Sequence, residues 1–247
     1  MISLYVDDMI ITGNANILIK EIKQQMSQVF EMKDLGNLHY FLGLEVRKDS
    51  RQTFLTQGKY VRSLLERFRM EQCRSAATPL HKNLKLSNDD GTKEVDATMY
   101  RELVGSLIYL TTTRPDLAYS VSVLSQFMSK PLESHWIAAE CVLRYLSGTS
   151  NYGILYTDTS NVILVGFSDS DWAGNLDDQR SITGYAFSIG FGVIAWSIKK
   201  QSIVALSSCE AEYQALCAAT CEAIWLRRLL NDAGEGQKES TSIKTNN

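Results

Sequence analysis

No apolar stretch in this chain approaches the ~20 consecutive residues that a membrane-spanning helix requires. The N-terminus runs directly into a strand pattern, with neither the basic start nor the small-residue cleavage site of a secretory signal. Proline is scarce, at 3 in 247 residues, beside an apolar fraction of 45%. That balance excludes a disordered or low-complexity chain and allows one or two domains with a sizeable core. Cys73, Cys141, Cys209, Cys217 and Cys221 form no C-x-x-C pair and no close set with His39, His81 or His135. Zinc spacing is therefore missing. Cys209, Cys217 and Cys221 fall within an arc of ~120° on one predicted helix, which points to packing. Reduced thiols fit an intracellular protein, cytoplasmic or nuclear rather than secreted.

A strong excess of positive charge is also lacking, since the net charge is −3. This argues mildly against a nucleic-acid binder, but the average hides an asymmetry. Between Glu45 and Lys85 basic residues outnumber acidic ones by six, with Arg47, Lys48, Arg62, Arg67 and Arg69 among them. Such a segment is either an ordinary solvated face or a set of salt-sensitive phosphate contacts.

Against these absences stands Tyr5-Val6-Asp7-Asp8, two carboxylates between short apolar runs rich in β-branched residues. The pattern reads as a β-hairpin that carries both acids at its tip. An Asp-Asp turn alone is an ordinary turn former. Rigidly held carboxylate pairs are also what Mg²⁺ needs, and paired Mg²⁺ ions drive in-line phosphoryl transfer. A second acidic region begins at Leu164, where an apolar strand ends in Ser168-Asp169-Ser170-Asp171-Trp172. Alternate residues share a strand face, so Asp169 and Asp171 are expected on one side. Ser207 and Glu210 form an S-x-x-E capping box that opens a long helix. Glu210 and Glu212 differ by about 200° around it. Glu212 shares a face with Leu216 and Ala219, which makes it the inward acid.

Between these regions the periodicity predicts a helix over 17–30, strands over 39–47 and 53–56, and a helix over 59–68. A polar linker over 76–94 follows, then helices near 97–112, 115–128 and 133–146. His135-Trp136 lies on an amphipathic helix, which favours a structural role. From Tyr152 strands are predicted over 153–156, 162–168, 183–189 and 193–198. Then come the long helix over 209–230 and a short strand over 241–244 whose crossover is parallel.

These motifs resemble copia-type LTR retrotransposon Pol polyproteins. Tyr5-Val6-Asp7-Asp8 is similar to the metal motif of reverse transcriptases, and Asp34-Leu35-Gly36-Asn37 through Val46 to the later palm. Tyr100 to Leu110 and Thr113-Arg114-Pro115-Asp116 follow the same family. Ser168 to Gly174 and Ser208-Cys209-Glu210-Ala211-Glu212-Tyr213 are similar to its ribonuclease H. The resemblance implies a mixed α+β and α/β fold in three parts: the end of a palm and thumb (1–80), a linker with a helical connection (81–150), and an incomplete ribonuclease H-like domain (151–247). It implies RNA-directed DNA polymerase and ribonuclease H chemistry, of the kind that precedes DNA integration, with two Mg²⁺ per site. Asp7, Asp8, Asp169 and Glu212 are the implied catalytic and metal-binding residues. A template–primer or RNA–DNA hybrid is the implied partner, with other parts of the same polyprotein and without a membrane. In the family a third metal-binding Asp ends the short strand after the long helix; here Asn246 stands at that position. The fingers and a further palm carboxylate precede the hairpin in the family, so the chain as written is expected to be inactive. The alternative is a non-enzymatic remnant that binds nucleic acid or protein.

Overall fold

The computed structural model describes residues 1–81, 84–158 and 162–245. Its packing divides the chain into Met1–His39 and Tyr40–Asn247. In the first unit, β1 (Ile2–Tyr5) and β2 (Asp8–Ile11) pair antiparallel in the register Tyr5↔Asp8 and Ile2↔Ile11. Helix α1 (Asn16–Val29) half-buries Ile19, Ile22 and Met26, the stripe predicted for it, but Val29 and Phe30 stay exposed. Lys23 closes the unit's end with a 2.9 Å ion pair to Asp34.

The second unit begins with β3 (Tyr40–Phe41), β4 (Leu44–Lys48) and β5 (Gln52–Thr56). Helix α2 (Gly58–Arg67) follows and buries Val61, Leu64 and Leu65. Glu45, itself buried, accepts the Lys59 backbone N–H at 2.8 Å and so satisfies an orphan donor at the start of α2. Helix α3 (Ala97–Leu110) starts on Asp96, whose carboxylate accepts from Thr98 N and Met99 N. A 3₁₀ turn over Pro115–Leu117 leads into α4 (Ala118–Ser125), and α5 (Glu133–Gly148) completes the group. Tyr100, Leu103, Leu107, Leu110, Leu124, Leu143 and Leu146 form the dry centre where these helices meet.

Strand β6 (Gly153–Thr157) returns to β5, with Leu55↔Ile154 in register, and gives a sheet of order β3-β4-β5-β6. Sequence periodicity groups this strand with those that follow it, whereas the chain pairs it with residues nearly a hundred positions earlier. Helices α2 to α5 are thus an insertion between two adjacent strands. The described residues of the segment predicted as a linker, 76–81 and 84–94, form no helix or strand, but several are held. Leu86 is buried in the helical core, Ser87 carbonyl meets His135, and Asn88 N bonds Asp177 at 3.0 Å.

Strands β7 (Leu164–Ser170), β8 (Ile182–Ile189) and β9 (Gly192–Lys200) form the predicted antiparallel meander. Helix α6 (Ser208–Asp232) crosses back, and β10 (Ser242–Lys244) lies parallel to β7, giving the order β10-β7-β8-β9. Ala211, Ala215, Ala219, Ala223 and Leu226 of α6 are buried on the sheet face that bears Leu164 and Phe187. Alanines every fourth residue let the helix approach the strands closely. Cys209, Cys217 and Cys221 are exposed, which corrects the expectation that they pack. The alanine row, one face away, takes the buried position.

Two buried polar groups hold the helical part. Arg114 is 1% exposed, with an ion pair to Asp116 at 2.8 Å and Nη1 donating to Thr149 carbonyl at 2.9 Å. Its guanidinium lies 5.6 Å from the Tyr145 ring centroid and 5.4 Å from that of Tyr152. His135 is fully buried and stacks on Phe127 at 3.9 Å between centroids. Its Nδ1 accepts from Leu132 N at 3.0 Å, so Nε2 carries the proton toward Ser87 carbonyl at 3.0 Å. Burial pushes its pKa below the ordinary 6.5, against the opposing pull of Ser87, Asp90 and Asp177.

Removing the Arg114 charge by Arg114→Met leaves the Asp116 carboxylate without its counter-ion and should cost about 3–5 kcal/mol in chemical denaturation. Lysine should not restore it, because an ammonium cannot reach Asp116 and Thr149 together as the fork does. For His135 the sign follows from a folded pKa below the unfolded one: the unfolded state takes up protons first, so stability is full above about pH 6.5 and falls as pH drops below it. A denaturant series over that window should show the fall in the natural chain, and a smaller one in His135→Gln.

Candidate metal and nucleic-acid site

The hairpin register leaves Val6-Asp7 as a two-residue turn with Asp8 opening β2. Val6 has φ +50°. A β-branched residue in the left-handed region is strained by about 1–3 kcal/mol, and such strain gathers where side chains must be aimed. Asp7 and Asp8 are both exposed. The tip therefore carries adjacent carboxylates on a stiff support.

The second acidic region is built around the end of β7. Cross-strand partners share a face, so Leu164, Gly166 and Ser168 stand with Phe187 and Tyr185 toward α6. Val165, Phe167 and Asp169 occupy the opposite face, with Phe167 and Asp169 exposed. Asp171 is already past the strand. Its carboxylate accepts the Ile182 N–H and sits where a side chain on Gly174 would collide with it. Burial raises its pKa, the Ile182 bond opposes that rise, and the nearby Asp169 charge adds to it. Asp171 shapes the turn after β7.

The predicted capping box at α6 forms in part: Ser207 caps the helix, while Glu210 reaches past the N-cap residue to the N–H before it. Ser207 Oγ accepts from Glu210 N at 3.2 Å and Glu210 Oε2 accepts from Leu206 N at 2.7 Å. Glu210 is thereby committed to the helix start, as its angular position predicts. Glu212, half-buried beside the alanine row, has its Oε2 buried with no partner among the described residues. An orphaned carboxylate oxygen at that depth is an acceptor without a donor or cation. Sequence reasoning passed over Gln201, which joins all three elements. Its Nε2 donates to Ser170 Oγ at 3.3 Å, Thr183 Oγ1 at 3.0 Å and Ala211 carbonyl at 3.0 Å. Only tertiary placement reveals it, since a polar residue ending a strand has no local signature.

Hard oxygen ligands in near-octahedral order are what Mg²⁺ requires. Asp7 and Asp8 are adjacent donors of that kind, and Asp169 and Glu212 have the same chemistry, but Asp169 stands on the face of β7 turned away from α6, so the structure does not bring it together with Glu212. Among the described residues no three His, Cys, Asp or Glu side chains gather as a metal site. Asn246 lies outside the described residues. The donor chemistry fits the ion, and the donor number falls short of it. On the basic segment, Arg47, Lys48, Arg62, Arg67 and Arg69 are all exposed. Arg67 pairs with Glu102 at 3.2 Å and Arg62 bonds Asn151 at 3.4 Å, which leaves Lys48 and Arg69 the more open.

Residues 1–82 match the family described as reverse transcriptase (RNA-dependent DNA polymerase). A retrovirus-related Pol polyprotein from transposon RE2 of Arabidopsis thaliana is 44% identical over 94% of this chain and 16% of its own length. The corresponding polyprotein from transposon TNT 1-94 of Nicotiana tabacum is 42% identical over 96% of the chain and 18% of its own length. The chain belongs to the copia-type retrotransposon Pol family. It spans about one sixth of those Pol polyproteins. A similar Arabidopsis relative is a short one, an uncharacterized mitochondrial protein 40% identical over 90% of this chain and 92% of its own length. The mixed α/β architecture accords with a reverse transcriptase fragment of this Pol family.

Because Glu210 closes the cap and Glu212 does not, the two acids should separate in a thermal or denaturant melt. Glu210→Ala should cost about 1 kcal/mol, the usual loss for a broken cap. Glu212→Gln should be neutral or stabilising, since it removes a buried charge that has no partner.

Proposed function

We propose that this Pol-family chain carries the closing part of the polymerase, a helical connection and the first part of a ribonuclease H-like domain, and that both ends serve phosphoryl transfer on nucleic acid. The observation that carries the second half is the connection β7-β8-β9-α6-β10. It returns the chain parallel to β7, with an acid near the end of that strand and another in the early turns of the crossing helix. The working parts are 1–80, 81–150 and 151–247. The pairing of β6 with β5 moves the practical start of the last part to β7.

In this reading Asp7 and Asp8 serve the polymerase and Asp169 and Glu212 serve the nuclease. Reverse transcriptases generally use Mg²⁺, which offsets charge on the transferring phosphate and activates water. With two carboxylates at the hairpin, Asp169 and Glu212 held on opposite sides of β7, and the neutral Asn246 at the third position of the second site, the 247-residue chain holds such ions poorly. It works beside other parts of the same polyprotein, inside the cell, on a template–primer or an RNA–DNA hybrid. The exposed basic residues of β4, of α2 and of the turn after it favour a second reading in which the chain binds nucleic acid without chemistry.

Cleavage and binding of a labelled RNA–DNA hybrid separate the two. The 247-residue chain should bind weakly, with affinity falling steeply between low and physiological salt, and should cut little. A longer Pol segment that contains it, with Asn246→Asp, should cut, and should stop cutting on Asp169→Asn or Glu212→Gln. Cutting that survives both substitutions would refute the assignment. Binding without cutting in the longer segment would favour the second reading.

A further inference from the structure

Around the exposed end of β7 lie groups that neither polymerase nor nuclease chemistry has used. Trp172 follows Asp171 directly and is 55% exposed. Its indole Nε1 nevertheless donates to Ala205 carbonyl at 3.2 Å, across to the loop that leads into α6. One edge of the ring is pinned and the rest is in water. Ala173, next in sequence, is held with φ +52° and donates its N–H to Ser181 Oγ at 3.1 Å, which limits how far the indole can swing. Tyr119 of α4 is half-exposed and within electrostatic reach of Asp171, as is the exposed Lys85. Asn175 Nδ2 donates to Gln126 Oε1 at 2.9 Å and fixes the turn after Trp172 to the end of α4, so these groups keep their neighbourhood. On the strand itself the half-exposed Phe167 shares the Asp169 face.

A large aromatic ring more than half exposed to water gains little for folding. One held rigid beside carboxylates and a lysine has the attributes of a stacking platform, because its ordering entropy is lost already on folding. We propose that Trp172 stacks on a nucleobase of the nucleic-acid strand at the Asp169 end of β7. The proposal rests on the nucleic-acid reading above and assigns a base-contacting residue to that site. Stacking recognises any base by its π-face, so the contact is sequence-tolerant. It also works without a metal, so binding can be tested apart from cleavage.

The test compares the 247-residue chain with Trp172→Phe and Trp172→Leu, each first shown to be folded by its thermal transition. The probes are a fluorescein-labelled dT oligomer and an abasic phosphodiester of equal length, read by anisotropy at low salt. Unsubstituted chain should prefer the dT oligomer by roughly tenfold, which is within the range of one base–aromatic stack. Trp172→Phe, which keeps a ring but loses the Ala205 bond, should retain most of that preference. Trp172→Leu should bind both oligomers alike, at the abasic level. Equal losses in the Phe and Leu variants would mean that Trp172 serves only the Ala205 bond, and would overturn the proposal. So would binding by the unsubstituted chain that ignores the bases, although the nucleic-acid reading would survive that result. Failure to bind either oligomer at any salt would remove both.

Discussion

A guanidinium buried to 1% exposure must find an acceptor for every N–H or cost several kcal/mol, and in this protein the acceptors lie in different parts of the chain. Arg114 takes Asp116 from its own turn and both the carbonyl and the hydroxyl of Thr149, the residue that ends α5. Tyr145 donates to the same Asp116 carboxylate at 2.9 Å. Burial alone would raise the Asp116 pKa, but the bonds and charge of Arg114 and the Tyr145 hydroxyl outweigh it and hold it below the ordinary range. The end of α5, the turn before α4 and the start of β6 are thus referred to one cation. One residue upstream, Thr113 donates to Gln57 at 2.7 Å and ties the same turn to the start of α2.

That constraint explains how a sheet survives a helical insertion of this size. β5 and β6 are neighbours in space, and everything between them must begin and end within a strand's width. Thr56 Oγ1 donates to Tyr152 carbonyl at 2.9 Å just where β6 begins, and the Tyr152 ring rests on Arg114. The helical core fills the insertion, and the polar groups at its mouth set where the chain leaves and returns. The two acidic regions of this chain lie on separate supports, which are stiff for different reasons. The hairpin has a strained two-residue turn, and β7 is clamped through Gln201 and the α6 cap.

Much of this was legible in the residues. The Asp-Asp hairpin, the meander, the capping box and the long crossing helix all announce themselves through period and cap chemistry, which are local. The structural role of His135 could be read from its amphipathic helix, although its partners, Leu132 and Ser87, could not. Position on the helix likewise separates Glu210 from Glu212. The exposure of Cys209, Cys217 and Cys221 was misjudged because a 120° arc shows which residues share a face, and not which face meets the sheet.

The sequence by itself determined the family and most of the helices and strands, because motif spacing, hydrophobic period and cap residues act over a few positions. Tertiary structure alone decided that β6 belongs with β5, that Leu86, Ser87 and Asn88 are tied to the helical core, His135 and Asp177, and that Ser168 rather than Asp169 takes the β7 face toward α6. It also decided that Gln201 and Trp172 bind the strand end to the loop before α6. Those outcomes turn on hydrogen bonds between groups 10 to 96 residues apart, and neither periodicity nor propensity carries information over that distance.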